Sequence, residues 1–272
     1  MRYIITGTGS KSDIGTTETY TELGWELMVT RLAYIRGLQS GLYSPKDNII
    51  TIGDRQFLYS KLANKVFDCS IPREQILAQD PNAEFIDIDH VQSLSYLHDD
   101  YSAGKINQYK FIQDKDIITN SIDYSNVSEK YNITEKFAGI LIRVRQWASF
   151  RNLDDNMYMA IIDKLKAKYG RVFVFGLCSE QVWKNKDITY IDNLQDWASL
   201  VNHPLCDVVV GPASGGTAVC QLCNNSALLL VSWDEDMCKR HPLYFSPSVT
   251  FSKCNVILLN SLEKIDEELK KL

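Results

Sequence analysis

Residues 207–222, DVVVGPASGGTAVCQL, put polar groups where an apolar run ends and a helical pattern begins. Gly211, Ser214, Gly215, Gly216 and Thr217 form the join. A strand that turns straight into a helix presents free backbone N–H groups, and with the helix dipole these attract an anion. Gly215 and Gly216 remove side chains that would obstruct a phosphate; Ser214 and Thr217 add hydroxyls. A side chain at either glycine is therefore expected to weaken anion binding more than folding. The same residues also describe a capped helix whose glycines permit close packing, so the turn by itself leaves both readings open.

A cationic cluster lies in IRVRQWASFRN, residues 142–152. Arg143 and Arg145 are two apart on an expected strand and would share a face. A guanidinium grips phosphate oxygens through paired hydrogen bonds. A solvated edge or a structural ion pair is the plainer use of such residues. Arg151 follows in the expected loop. Lys239, Arg240 and His241 come after the apolar run ALLLVS, in a loop that would line the same edge and touch a phosphate or a base.

Carboxylates stand out in the first half. Asp13, in the loop 7–15 after the first apolar run, would serve as a base that takes a proton from a hydroxyl. It would equally serve as a helix cap. Glu18 is the neighbouring alternative. Asp87 and Asp89 alternate at the end of another apolar run, and their hard oxygens suit Mg2+ or Mn2+. His90, His98, His203 and His241 have no metal-ligand spacing, and His203, just before Pro204, reads as a helix-end residue. The seven cysteines are odd in number and scattered, as reduced core thiols would be. Cys220 and Cys223 form a CxxC inside an expected helix, without the second pair that zinc needs. No Gly-x-x-x-x-Gly-Lys-Ser/Thr occurs, and GTGSKSDIG lacks the dinucleotide-fingerprint spacing.

The elements that must position these groups alternate. RYIIT, NIITIG and EFIDID read as strands. Residues 17–38 read as a helix, as does DRQFLYSKLANKVF with Asp54 at its cap. The pattern weakens over 90–135. Beyond it AGILIRV, RVFVFG, ITYID, DVVVG and ALLLVS read as strands. NMYMAIIDKLKAKYG, NLQDWASLVNH, SGGTAVCQLC and LEKIDEELKKL read as helices, the first stopped by Gly170. Alternating strands and helices imply parallel sheets covered on both faces. The expected fold class is α/β, two Rossmann-like domains facing a cleft, with boundaries at 1–135 and 136–272. At 272 residues and 45% hydrophobic content the chain is large enough for two cores. A net charge of −5 argues against a general grip on nucleic acid. No stretch approaches the ~20 apolar residues of a membrane span. The N-terminus is too polar for a signal peptide, so a cytoplasmic location is expected.

From Ala138 to Ser232, the succession GILIRVRQ, the helix to KYG, VFVFGLCSEQVW, ITYID, a helix and CDVVVGPASGGT resembles the donor-binding domain of GT-B glycosyltransferases. The closing turn is similar to that of the lipopolysaccharide heptosyltransferases, and the Arg-x-Arg strand is similar to that of fucosyltransferases of the same fold. The resemblance implies a glycosyltransferase, hexosyl- or pentosyl-, that takes a nucleotide-diphosphate sugar and a glycan acceptor. On it, Arg145 with Arg143 and the Ser214–Thr217 turn would hold the pyrophosphate, and Asp13 would be the base for an inverting, metal-independent transfer. The histidine that often precedes the arginine in the fucosyltransferases is Arg143 here, and the one that follows the turn in heptosyltransferases is Ala218, which leaves the donor open. Other readings are an epimerase or hydrolase of nucleotide sugars, a Mn2+-dependent transferase using Asp87 and Asp89, and a non-catalytic Rossmann-like binding module.

Overall fold

The computed structural model describes residues 1–6, 26–88, 120–144, 152–176, 188–212, 214–221, 227–231, 256–259 and 261–272. The chain forms two compact α/β units, Met1–Asp123 and Tyr124–Leu272. Each has its own all-parallel sheet.

In the first unit the strands are β1 (Arg2–Ile5), β2 (Asn48–Thr51), β3 (Lys65–Asp68) and β4 (Glu84–Asp87), in the order β3-β2-β1-β4. A π-helical turn, Glu26–Thr30, runs into α1 (Arg31–Ser40), which ends at Gly41 in the left-handed region. α2 (Arg73–Gln79) packs Ile76 against Tyr3, Ile5 and Ile50. Tyr3 stacks on Phe85 at 5.5 Å. β1 and β2 are buried almost throughout, which is why they read as unbroken apolar runs.

One expectation fails here. DRQFLYSKLANKVF is not a single helix: Gly53–Leu58 forms a short 3-10 helix, and Lys65–Asp68 is β3. Asp54 is not a cap, since Ile52 holds that position without a side-chain hydrogen bond. The cause is tertiary. Asn64 N–H bonds to Asp47 O at 2.9 Å, which redirects the chain so that Lys65 to Asp68 pair with β2. The half-exposed KVFD lacks a long apolar run, so its strand character lies in its partner.

The second unit adds a short α3 (Val127–Lys130), then β5 (Phe137–Ile142), α4 (Asp155–Tyr169), β6 (Val172–Gly176), β7 (Thr189–Ile191), α5 (Leu194–Val201), β8 (Cys206–Gly211), α6 (Gly215–Gln221), β9 (Ala227–Val231), β10 (Val256–Leu259) and α7 (Leu262–Lys271). The sheet order is β10-β9-β8-β5-β6-β7. β10 extends the sheet at a place where the sequence pattern suggests nothing. Even-numbered residues of β5, β6 and β8 pack with α4 and α7 on one face, where Ala138, Ile140, Val174 and Val208 meet Ile161 and Ile265. Gly139 and Phe175 lie on the other face against Trp197 of α5. α4 starts with Asp154, whose carboxylate accepts Met157 N–H, and stops at Gly170, whose φ is 69°.

The segment before β5 belongs to this unit, although the sequence pattern puts the boundary at 135/136. Asp196 of α5, buried, accepts from Ser125 Oγ at 2.7 Å and Tyr131 Oη at 2.6 Å, and pairs with Lys130. Arg171 donates to the carbonyls of Tyr131 and Asn132. Burial works against the Asp196 carboxylate, but the bonds from Lys130, Tyr131 and Ser125 outweigh it and hold its pKa below the ordinary 3.8. Asp196→Ala is expected to destabilise the second unit by on the order of 2–3 kcal/mol, from the Tyr131 and Ser125 bonds with nothing added for the exposed Lys130. A depressed carboxylate pKa contributes stability that is full above 3.8 and disappears as the pH falls through the lower folded value. Urea unfolding should therefore show the gap between wild type and variant at neutral pH and its closure in acid.

Candidate functional site

The order of the second sheet places two of the sequence motifs side by side. From β5 the chain moves outward to β6 and β7, returns to the other side of β5 as β8, and moves outward again to β10. The direction of winding reverses between β5 and β8, which pair directly, for instance Gly139 with Val209 and Ile140 with Val210. The helix after β5 covers one face and the helix after β8 covers the other. Connections that part in this way leave a crevice at the carboxyl ends of the two strands, where open α/β sheets bind their ligands. Arg143 follows the last residue of β5, and the Gly211–Thr217 turn follows β8.

The turn is fastened from within. Thr217 Oγ1 accepts Ser214 N–H at 2.9 Å and lies 3.0 Å from Pro212 O and 2.9 Å from Ser214 O. Thr217 is buried, so its hydroxyl serves the turn. Ser214 Oγ is buried and has no hydrogen-bond partner among the described residues, an arrangement that has to be justified in a folded protein. Trp197 Nε1 donates to Gly216 O at 3.1 Å and ties the first turn of α6 to α5. The glycines divide by role. A Cβ on Gly216 would lie 2.4 Å from Leu141 Cδ1, and one on Gly211 would lie 2.8 Å from Leu141 Cβ. Both positions are glycine because the Leu141 side chain fills the space beside them. At Gly216 this is the packing reason, in contrast to the expected clearance for a phosphate. Gly215 is partly exposed.

Arg143 lies one residue beyond β5, which ends at Ile142 rather than continuing through Val144. It is 4% exposed, and Nη1 donates to Asn152 Oδ1 at 2.5 Å. Its backbone N–H donates to Tyr158 Oη at 2.8 Å. Val144 is 46% exposed. Gly176 ends β6 beside this point with φ 114°; a Cβ there would lie 2.0 Å from Ile142 O. Only glycine lets the exit of β6 come so close to the exit of β5. Arg145, Arg151, Lys239, Arg240 and His241 lie outside the described residues, as does Cys223.

In the first unit the winding reverses between β1 and β4, which pair with Ile5 opposite Asp87. Asp87 is therefore the last residue of a strand at the reversal, and it is exposed. Asp13, Glu18, Asp89, His90 and His98 lie outside the described residues. Among the described residues no three His, Cys, Asp or Glu side chains gather as metal ligands would. His203 is a structural residue. Its Nδ1 accepts Leu205 N–H at 3.1 Å, so the neutral ring carries its proton on Nε2, 2.8 Å from Ser128 Oγ. Burial lowers its pKa and favours that neutral form.

Sequence reasoning missed a buried polar cluster beneath the carboxyl edge of the first sheet. Glu26, in the π-helical turn, accepts from Thr51 Oγ1 at 2.5 Å and Arg55 Nη1 at 2.6 Å. Arg31, also buried, donates to Leu58 O at 3.0 Å and Ser121 Oγ at 2.5 Å. Glu26 sits within a segment that reads as ordinary helix, and its partners come from distant positions, so no local pattern marks it. π-helical turns often accompany functional sites, which is the one signal that structure alone supplies.

Among solved structures, the chain is similar to E. coli ADP-heptose lipopolysaccharide heptosyltransferase II, with TM-score 0.57 and 14% identity over 100% of this chain and 98% of that one. E. coli heptosyltransferase WaaC with ADP gives TM-score 0.51 and 11% identity over 100% and 98%. A family 9 glycosyl transferase from Veillonella parvula gives 0.55 and 11% over 99% and 90%. No protein-family model matches the chain, and no curated protein sequence matches it. The fold is thus the α/β, GT-B-like fold of these transferases, as the turn and the Arg-x-Arg stretch lead one to expect. Among the described residues no helix is long and apolar enough to cross a membrane.

Gly216→Val is expected to lower stability by about 1–3 kcal/mol through overpacking against Leu141. Leu141→Ala removes the obstructing atoms, so the double variant should lose less than the two single losses added together. Chemical denaturation of the four proteins reads this directly; strict additivity would place Leu141 elsewhere.

Proposed function

We propose that this protein is a glycosyltransferase that moves a sugar from a nucleotide-diphosphate sugar to a hydroxyl of a glycan acceptor, with inversion and without a metal. The observation that carries the reading is the direct pairing of β5 with β8 at the reversal of winding, which sets the Gly211–Thr217 turn beside the exit toward Arg145. The second unit would hold the donor. Its diphosphate would lie against the turn, with the partly exposed Gly215 facing it and Ser214 and Thr217 contributing from the same turn. Arg145 would supply the guanidinium, and Lys239, Arg240 and His241 would complete the contact with nucleotide or sugar. Arg143, bonded to Asn152, supports this arrangement from inside.

The first unit would serve the acceptor. Asp13, following β1, takes the proton from the acceptor hydroxyl as that oxygen attacks the anomeric carbon. The bond from the anomeric carbon to the diphosphate oxygen breaks, and the diphosphate leaves with the electron pair. Preorganised N–H groups and a guanidinium stabilise the charge that develops on the leaving oxygen. That chemistry needs no metal. The protein would work in the cytoplasm, on a soluble or a surface-presented glycan. ADP-sugars are the first donors to try, because two of the similar structures are of WaaC with ADP and of WaaC with ADP-2-deoxy-2-fluoro heptose.

The test is a thermal-shift screen against ADP, UDP, GDP and dTDP and their sugars, followed by transfer assays in EDTA. A diphosphate at ~100 times its Kd is expected to add ~2.7 kcal/mol of stability. Arg145→Ala is expected to abolish most of that gain, and transfer is expected to survive chelation. Stabilisation by none of the nucleotides would sink the reading. Activity lost in EDTA and restored by Mn2+ would turn attention to Asp87 and Asp89. An isomerised sugar formed without acceptor would make the enzyme an epimerase.

A further inference from the structure

The chain passes between the two units once, since Met1–Asp123 and Tyr124–Leu272 are each continuous. Such a crossing is ordinarily an exposed, flexible linker, and the units it joins then move with respect to each other. NSIDYSNV, residues 120–127, has neither glycine nor proline. Its backbone is held on both sides of the crossing, each side by a different unit.

On the side of the first unit the hold runs residue by residue. Ser121 Oγ accepts from the buried Arg31 of α1 at 2.5 Å. Ile122 is fully buried, and its carbonyl accepts from Lys61 Nζ at 3.0 Å. Asp123 N–H donates to Phe57 O of the 3-10 helix at 2.9 Å. On the side of the second unit Ser125 N–H donates to Ser199 Oγ of α5 at 2.8 Å, and Ser125 Oγ donates to Asp196 at 2.7 Å. The peptide planes that carry the Asp123 and Ser125 N–H groups are thus fixed to opposite units. Only φ and ψ of Asp123 and Tyr124 lie between them, because the peptide plane itself does not rotate. Both residues carry a Cβ, which restricts them to the few backbone regions open to ordinary L-residues.

We infer that Asp123–Tyr124 is a short hinge, which confines the two units to a small set of mutual orientations. Hinges of this kind absorb a domain movement in the dihedrals of a few residues. Its effect on activity rests on the transfer reading proposed above, in which the second unit holds the donor and the first serves the acceptor. The hinge then governs the transfer step and leaves donor binding to its own unit. Tyr124→Gly removes the ring and the Cβ, whereas Tyr124→Ala removes the ring alone. The pair therefore separates the backbone from any bond that the side chain makes. Tyr124→Gly is expected to lower kcat roughly two- to fivefold more than Tyr124→Ala does, the cost of freeing one residue, with the Kd for the nucleotide sugar unchanged in both. Gly-Ser-Gly-Ser inserted between Tyr124 and Ser125 is expected to lower kcat further, again at constant Kd. An insertion variant that keeps the wild-type kcat overturns the hinge. So does a Tyr124→Ala variant as slow as Tyr124→Gly, which would move the effect to the ring.

Hydrogen exchange followed by NMR reads the joint without a ligand. In the wild type the amides of Asp123 and Ser125 are expected to exchange slowly. Ser199→Ala is expected to speed exchange at Ser125 and leave Asp123 slow, because different units hold the two amides. Rapid exchange at both amides of the wild type, or an equal response of both to Ser199→Ala, overturns the inference whatever the protein binds. A protein that shows the expected exchange but binds no nucleotide diphosphate supports the hinge and sinks the transfer reading alone.

Discussion

The second unit is organised around the space beside Leu141. Its side chain stands where side chains at 211 and 216 would be, so the end of β8 and the first turn of α6 can close on β5 only as glycine. That approach sets the direction in which the chain leaves β8. It also brings Gly216 O within reach of Trp197, which in turn occupies the space that Gly139 leaves on β5. Five positions on four elements therefore constrain one another. Close packing of this kind transmits a change at one position to the others.

The strand exits are treated with similar economy. β5, β6 and β8 end within a few residues of one another, and each exit has a different device. Gly176 allows β6 to cross close to Ile142 O. Arg143 is held at its backbone by Tyr158 and at its guanidinium by Asn152. Thr217 clasps the turn after β8 through Ser214 and Pro212. Burying an arginine is costly unless it is satisfied, and here the satisfied arginine is part of the frame. Of the two arginines that the sequence offers, the structure gives the inner one a supporting place.

Much of this was legible in the sequence. Strands buried on both faces, such as ILI of β5 and VVV of β8, need apolar residues at every position, and they stand out as runs. Asp154 and Gly170 mark both ends of α4 because capping chemistry is local. What was not legible depended on distant partners. β3 is a strand because β2 lies beside it, and the Glu26–Arg55–Thr51 cluster joins residues from separate elements. The two meanings of a glycine pair in GPASGGT could not be separated without Leu141, which lies more than sixty residues earlier. Tyr158 reads as one more apolar residue on a helix until its hydroxyl is seen to bond Arg143.

The fastening of 124–136 also bears on how this chain could be divided. Ser125, Lys130 and Tyr131 meet Asp196, Arg171 reaches back to Tyr131 and Asn132, and Ser128 meets His203. A cut placed at the first residue of the familiar strand-helix pattern would strand a buried carboxylate and leave an arginine without its carbonyls. The second half can be expressed as an intact piece only if it begins at or before Tyr124, ahead of the short helix that carries those partners. Excision of the second unit for crystallography should follow that line and not the edge of β5.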